Sequence, residues 1–594
     1  MNQGNEIVFI ASLLVLVSIF AGSASSRFGV PFLLVFLGLG LLAGESGPGG
    51  IVFNDYQLTY TIGSAALGII LFDGGLRTNF ATVRLVAGPA FVLATAGVVG
   101  TAALLGVAAH FALGLGLLES FLVGAIVGST DAAVVFFLLN MKGMALQKRV
   151  SGTLEVESSI NDPMAIFLTL ACVELIRLGH PPETLELIGL FLAQMVGGLV
   201  VGVVGGFLLV ALFNRVPVAG GLYPIVAMAA ALLIFSGANF INASGFVGVY
   251  VAGLVLGNRR HRGAQVILRF YDGLSWLSQI VMFLLLGLLM TPEAMTPYAM
   301  GGGIVAFALI LIARPLTVVA CLLPFRYTWR EIGFISWIGL RGGVPIFLAT
   351  IPVLAELPNA ELYVTTAFCC VLASLTVQGW TIGPVARFFG LELPPRPEAA
   401  TRTDIDFSGA TLDRDIASYR VEKEAPALGY RFAELPLPRR CRIMAVIREG
   451  ALVDRTRIEK LEAGDHLLVL APPEQFFPLD RLFSARRESE RRRRKRERGE
   501  EVFGEFVLSG DTLMGEVAVL YGLPVEEKDR NEPIGVYMRR RLRLRAVVGD
   551  RLRHGPVELV VREVRDERIT SVGIELEPEE HPLLGGIRRA FGFE

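Results

Sequence analysis

TLEVESSINDPMAIFLTL, residues 153–170, decides how the rest of the chain is read. It is an apolar, helix-length run with a cluster of acids, a hydroxyl and an amide at its centre. Glu157, Ser158, Asn161 and Asp162 fall within two helical turns. On a helix, Ser158 and Asp162 stand four apart and share a face; Glu157 and Asn161 share the adjacent one. Pro163 has no N–H to give, which frees the carbonyl of Ser159 as a further acceptor at the same depth. Carboxylate, hydroxyl and carbonyl oxygens make a hard site, suited to an alkali cation or a proton. An ionised carboxylate at mid-bilayer costs about 2.5–3.5 kcal/mol on insertion scales, so its presence calls for a function. Asp162 is therefore the candidate to hold a monovalent cation and a proton in alternation.

The surrounding composition agrees with a bilayer setting. The 594 residues are 53% hydrophobic, yet the average hides a split. Up to about Leu391 the chain is apolar and Gly-rich; beyond it the chain is highly charged. The expected architecture is an integral membrane domain over residues 1–391 followed by a soluble region. The net charge of −1 is a sum over these unlike parts and points to no partner. The five cysteines, Cys172, Cys321, Cys369, Cys370 and Cys441, show neither metal nor disulfide spacing. The opening MNQGNE has no basic segment, so the first apolar run reads as a membrane helix and not as a cleaved signal.

Thirteen apolar segments are expected, centred near residues 15, 37, 66, 98, 127, 165, 200, 231, 250, 283, 311, 341 and 373. Charge tests the count. Loops after odd-numbered segments carry Arg27; Arg77 and Arg84; Lys142, Lys148 and Arg149; Arg215; Arg259, Arg260, Arg262 and Arg269; Arg326 and Arg330; and Arg387. Loops after even-numbered segments carry Arg177 alone, with acids such as Glu45, Glu119, Glu183, Glu293 and Glu356. This asymmetry places the odd loops and the C-terminal region in the cytoplasm and the N-terminus outside.

Three further segments carry buried polar residues. The third ends in FDGGLRT, with Asp73 before two glycines. Asp73 is either an interfacial acid at a helix end or an acid lining the cytoplasmic approach to the site. The fifth, FLVGAIVGSTDAAVVFFLL, has Ser129, Thr130 and Asp131 at its middle. That is helix N-cap chemistry halfway through a span, so a broken helix is expected, with Asp131 at the positive end of its second half. Polar helix packing alone is the plainer alternative. The twelfth, FISWIGLRGGVPIFLAT, centres on Arg341 and is interrupted by Gly342, Gly343 and Pro345. Paired interrupted helices in two halves of a chain point to a transporter site. A buried Arg needs a carboxylate, and Glu157 is the expected partner of Arg341. Arg314, in LIARPL of the eleventh segment, is either a second buried cation or a snorkelling one. Segments four to six, with a break in five, are expected to be mirrored by eleven to thirteen, with a break in twelve.

These motifs, FDGGLRT, GSTDAA, LEVESSINDPMA and SWIGLRGGVPI, resemble the NhaP-type branch of the monovalent cation:proton antiporter family. The resemblance implies a multi-span α-helical membrane fold with inverted repeats and two broken crossing helices. It implies that Asn161 and Asp162 form the ion-binding motif and that Ser158, the Thr130 backbone oxygen and Asp73 complete the alkali-cation ligands beside Asp131. It implies that Glu157 and Arg341 form a structural ion pair. It also implies a homodimer in the bacterial inner membrane, an elevator-like movement, and one-for-one electroneutral exchange without a cofactor. No Gly-x-x-x-x-Gly-Lys-[Ser/Thr] loop is present for ATP. The Thr-Val-Gly-Tyr-Gly filter that a potassium channel would use is absent as well. A tethered sensor would leave four buried charged motifs unexplained.

The soluble region divides after the Pro-rich PPRPEAA. Residues 404–482 resemble a TrkA-C-type regulatory domain, with hairpin CRIMAVIREGALV turning at Glu449-Gly450 and a Gly464-Asp465 turn before a strand. The resemblance implies a small-molecule ligand of unknown identity, and no residue stands out to hold it. Residues 484–502, within ARRESERRRRKRERGEE, read as a solvated basic linker or a clamp for anionic lipid. No base-reading motif accompanies them, which argues against nucleic acid. Residues 503–580 resemble a CorC/HlyC-type transporter-associated domain. His261 and His466 are candidate pH sensors, although surface histidines commonly have no such role. Having both modules after such a membrane part favours potassium over sodium as the substrate cation.

Overall fold

Each apolar run folds as a helix or as a pair of half-helices. The structure, a computed structural model, describes residues 2–28, 31–141, 144–178, 184–393, 401–403, 415–421, 425–438, 441–448, 450–453, 458–471, 479, 482–483, 506–521, 523, 525–542, 546–554, 557–565 and 567–575. Among them, nine helices are long and apolar enough to cross a membrane, from Val8–Ser25 to Ala360–Phe388. Four shorter apolar helices, Phe32–Ala43, Leu117–Ile126, Gly245–Gly257 and Val344–Leu354, fill the remaining places in the order. Together they give thirteen segments, many of which leave large apolar side chains such as Phe20, Leu208 and Leu233 on the surface. Exposed leucine and phenylalanine in such numbers fit a lipid solvent and not water.

The fifth segment is broken. Its first half, Leu117–Ile126, stops at Val127, and its second half, Ala132–Met141, begins after Asp131. The twelfth is broken in the same manner, between Trp329–Trp337 and Val344–Leu348. Its first half opens on a capping box in which Thr328 and Glu331 satisfy each other's amides. Pro345 sits at the start of its second half, where its missing N–H costs nothing. The sixth segment, Lys148–Leu178, runs without interruption through Pro163. The fourth and eleventh segments share an irregularity, a wide π turn at Leu93–Gly97 and at Leu309–Ala313. Breaks in five and twelve and π turns in four and eleven are what paired repeats would produce, while a third π turn, Ser374–Gln378 in the thirteenth, has no counterpart in the sixth.

The chain divides into two units, Met1–Leu393 with Phe503–Glu594, and Pro394–Val502. In the first, β1 (Ala145–Leu146) pairs with β2 (Glu392–Leu393), tying the start of the sixth segment to the exit of the thirteenth. The second unit holds an antiparallel sheet in the order β3 (Thr401–Thr403), β4 (Asp415–Arg420), β7 (His466–Ala471), β5 (Arg442–Arg448), β6 (Ala451–Val453). Arg448 is in register with Ala451 across the β5–β6 pair, while Glu449 of the expected turn lies outside the described residues. Its core holds Tyr419, Val446, Leu467 and Val469. Arg448 binds Asp465 through two hydrogen bonds of 2.9 Å, fixing the turn before β7. The transporter-associated region forms an antiparallel sheet of β8 (Phe506–Ser509), β11 (Arg568–Glu575), β10 (Val557–Arg565) and β9 (Arg551–His554), in that order. Helices Met514–Tyr521 and Ile534–Leu542 supply Met514, Val517, Tyr537 and Met538 to its core. The basic run 484–502 and the linker 394–400 lie outside the described residues.

Candidate functional site

The two broken segments meet at their breaks. The Asp131 amide donates to the Leu340 carbonyl at 2.7 Å. A Cβ at Gly342 would lie 2.1 Å from an Asp131 carboxylate oxygen, so glycine leaves room for the Asp131 side chain against the break in segment twelve. Breaking a helix frees backbone groups, and several here have partners. The Asp131 side chain accepts from the Ala133 and Val134 amides at 3.0 and 3.3 Å, capping the second half of segment five. At the other lip of that break, the Arg341 guanidinium donates to the carbonyls of Gly128, at 2.7 Å, and Ser129. In segment twelve, the Arg341 amide donates to Ser374 Oγ and Gln378 bonds the Trp337 carbonyl.

Arg341 is therefore not the partner of Glu157, contrary to expectation. Glu157 forms a two-pronged ion pair with Arg314, at 2.5 and 3.1 Å, with both side chains buried. The expectation failed because it assumed that a buried guanidinium requires a carboxylate. Carbonyls at the C-terminal end of a half-helix carry partial negative charge and serve Arg341 instead. Arg314 is thus a buried cation and not a snorkelling one. It stands directly after the Leu309–Ala313 π turn, and such turns recur at functional positions. Its signal in the sequence was an Arg at the middle of an apolar span.

The sixth segment lies against the break in the fifth. Ser158 Oγ donates to the Thr130 carbonyl at 2.8 Å and accepts from the Ala132 amide at 3.1 Å. The Asn161 side-chain amide donates to Thr130 Oγ1 at 2.6 Å. Asp162 is 7% exposed and the Ser129 side chain stands beside it. Asp162 Oδ1 and Asn161 Oδ1 are buried without a hydrogen-bond donor. Asp131 and Ser158 are half-buried, so the cluster keeps an open side. The structure thus gathers Ser129, Thr130, Asp131, Ser158, Asn161 and Asp162. It does not engage Asp73 with them: one Asp73 oxygen binds Arg77 at 2.9 Å and the other accepts from Ser275 at 2.8 Å. Arg77 in turn reaches the exposed Asp272.

The charges can be counted. Glu157 and Arg314 cancel. With both carboxylates ionised, Arg341, Asp131 and Asp162 sum to one negative charge, and Asp162 lies within electrostatic range of the other two. One proton or one monovalent cation brings the group to neutrality. Orphaned buried acceptors beside hydroxyl and carbonyl oxygens are what such an ion needs. Among the described residues no group of three or more His, Cys, Asp or Glu forms a resident metal site.

The chain resembles known proteins along nearly its whole length. Residues 12–388 match the family model described as "Sodium/hydrogen exchanger, transmembrane". Residues 416–483 match the TrkA-C domain, and 500–578 the transporter associated domain. Over 584 residues the chain is 40% identical to the K(+)/H(+) antiporter NhaP2 of Shewanella baltica, covering 98% of this chain and 100% of that one. It is 37% identical over 576 residues to the K(+)/H(+) antiporter NhaP of Alkalimonas amylolytica, covering 97% and 99%. The sodium proton antiporter MjNhaP1 of Methanocaldococcus jannaschii shares the fold, with a TM-score of 0.58 at 23% identity over 65% of this chain and 99% of that one. The chain belongs to the sodium/hydrogen exchanger family, in its NhaP-type branch, and carries TrkA-C and transporter-associated domains after its membrane part.

Proposed function

We propose that this protein exchanges potassium for protons, with Asp162 holding one or the other in alternation. The observation that carries the reading is the pair of buried, donor-free oxygens on Asp162 and Asn161, next to Thr130 and Ser158. Asp162, the Thr130 carbonyl and Ser158 supply the cation's oxygens, Asn161 orients Thr130, and Asp131 adds negative charge. Asp73, whose oxygens already have partners, belongs to the approach and not to the ligand set. An empty site carries a buried net charge and is costly to move through a low-dielectric barrier; an occupied one does not. Obligatory, electroneutral one-for-one exchange follows from that difference. Potassium is favoured over sodium because relatives matching nearly the whole chain are named potassium/proton antiporters. Sodium is the second reading, since a relative from Pseudomonas aeruginosa, 29% identical over 343 residues, is named a sodium/proton antiporter. The one-sided distribution of basic loops supports an orientation with the charged C-terminal region in the cytoplasm and the N-terminus outside, in a bacterial inner membrane. The working form is a homodimer, and the TrkA-C domain takes a small cytoplasmic ligand.

Everted vesicles with an acid interior, followed by a pH-sensitive dye, test this directly. Potassium should dissipate the gradient without generating current, and more effectively than sodium. Asp162→Asn should abolish the response while the protein still inserts and folds. Normal exchange by that variant would overturn the mechanism.

A further inference from the structure

The sixth segment begins in an unusual setting. Arg149, in its first turn, is only 6% exposed in its side chain and lies between two carboxylates. Its Nη1 donates to Glu331 Oε1 at 3.0 Å and to Asp550 Oδ1 at 3.1 Å, and its Nη2 donates to Asp550 Oδ2 at 2.9 Å. Glu331 caps the first half of the broken twelfth segment. Asp550 comes from the transporter-associated domain, 401 residues further along. Beside it, Gln147 Nε2 donates to the Gly549 carbonyl at 3.0 Å. Gly549 has φ of +93°, and a Cβ there would meet Gln147 at 2.9 Å and Leu393 at 3.1 Å. The residue is thus glycine for two reasons, its backbone angle and the closeness of the membrane part. The turn is built to present the acid: the Val547 amide donates to Asp550 Oδ2 at 2.9 Å, and the Asp550 carbonyl accepts from the Val561 amide. A cation in the first turn of a helix opposes the helix dipole, and Asp550 supplies the anion that the position favours.

We infer that the Val547–Asp550 turn is a plug, that Gln147, Arg149 and Glu331 form its socket, and that through this contact the transporter-associated domain sets the rate of exchange. The socket joins the two membrane elements that matter most, the helix carrying Asp162 and the half-helix leading to Arg341. A seated plug fixes their ends to each other. An empty socket leaves a buried Arg–Glu pair short of one carboxylate and open to water. Arg149 and Asp550 are not part of the cation site, so the contact acts on how that site is held. The inference rests on the exchange reading for its functional half, and its docking half stands apart from it.

The test uses the full chain. Amide hydrogen exchange of peptides covering Met144–Arg149 and Ala546–Arg551 reports docking; the vesicle assay reports transport. Asp550→Arg should raise amide exchange in both peptides by about tenfold or more, as expected for breaking a buried charge pair. It should also shift the initial transport rate by about threefold or more. Asp550→Asn, which keeps the shape, should have smaller effects of the same sign. Combining Arg149→Ala with Asp550→Ala should raise amide exchange by less than the sum of the two single changes, as a direct pair requires. Unchanged protection in Asp550→Arg would overturn the docking. Lost protection with an unchanged transport rate would overturn its control of exchange. Simple additivity of those two changes would overturn the pairing. Asp162→Asn should silence transport yet keep both peptides protected, which separates a failure of this inference from a failure of the exchange reading.

Discussion

Glu157 and Arg314 are each nearly inaccessible and have each other as partner. Removing one half of such a pair leaves an uncompensated charge, a loss of about 3–5 kcal/mol. Arg314→Ala should therefore destabilise the membrane part by an amount of that order, read as a fall in melting temperature in detergent. Arg341→Ala leaves this pair intact and strands the Gly128 and Ser129 carbonyls instead, at about 1–3 kcal/mol for each unsatisfied acceptor. A melting temperature unchanged by Arg314→Ala would contradict the assignment. Here the limits of sequence reading are visible. Asp162, Asn161 and Ser158 could be gathered from their spacing and their cost in lipid, because polar residues in an apolar run need a reason; Thr130 joined them only through the family resemblance. The pairing of Arg314 with Glu157 could not. It depends on which side chain the π turn brings round, and on carbonyls becoming acceptors only after a helix has broken.

At the level of elements, the crossing of the fifth and twelfth segments is the feature that organises the site. Gly342 is packed against Asp131 so closely that a methyl group has nowhere to go. Gly342→Ala should push the breaks apart, displace Asp131 from the cap of its half-helix, and cost exchange far more than it costs insertion. Vesicle transport per inserted protein would fall by at least about tenfold, since a displacement of about 1 Å at a site can cost a hundredfold. An active Gly342→Ala protein would show that the crossing can relax. Both breaks were legible from the chain, as Ser-Thr-Asp and Arg-Gly-Gly-x-Pro in mid-span. The paired π turns were not: LATAG, with its single Gly97, and LILIA both read as ordinary apolar helix.

Across the whole molecule, the composition break near Leu391 announced a membrane part and soluble modules. It gave no hint that the last module would share a unit with the membrane part while the TrkA-C region forms its own. The reason is physical. Strand patterns are local, whereas the meeting of Arg149 with Asp550 joins residues 401 apart in the chain. A single acid in a turn carries no sign of its distant partner.

The charge balance around Asp162 has a consequence for valence. A vacant site short by one positive charge is satisfied by a monovalent ion and overfilled by a divalent one, which would bury an excess positive charge beside Arg341. Magnesium and calcium chlorides should therefore neither drive proton movement nor compete with potassium at matched ionic strength. Competition by either would mean that a further acid, with Asp73 the first to test, joins the bound state.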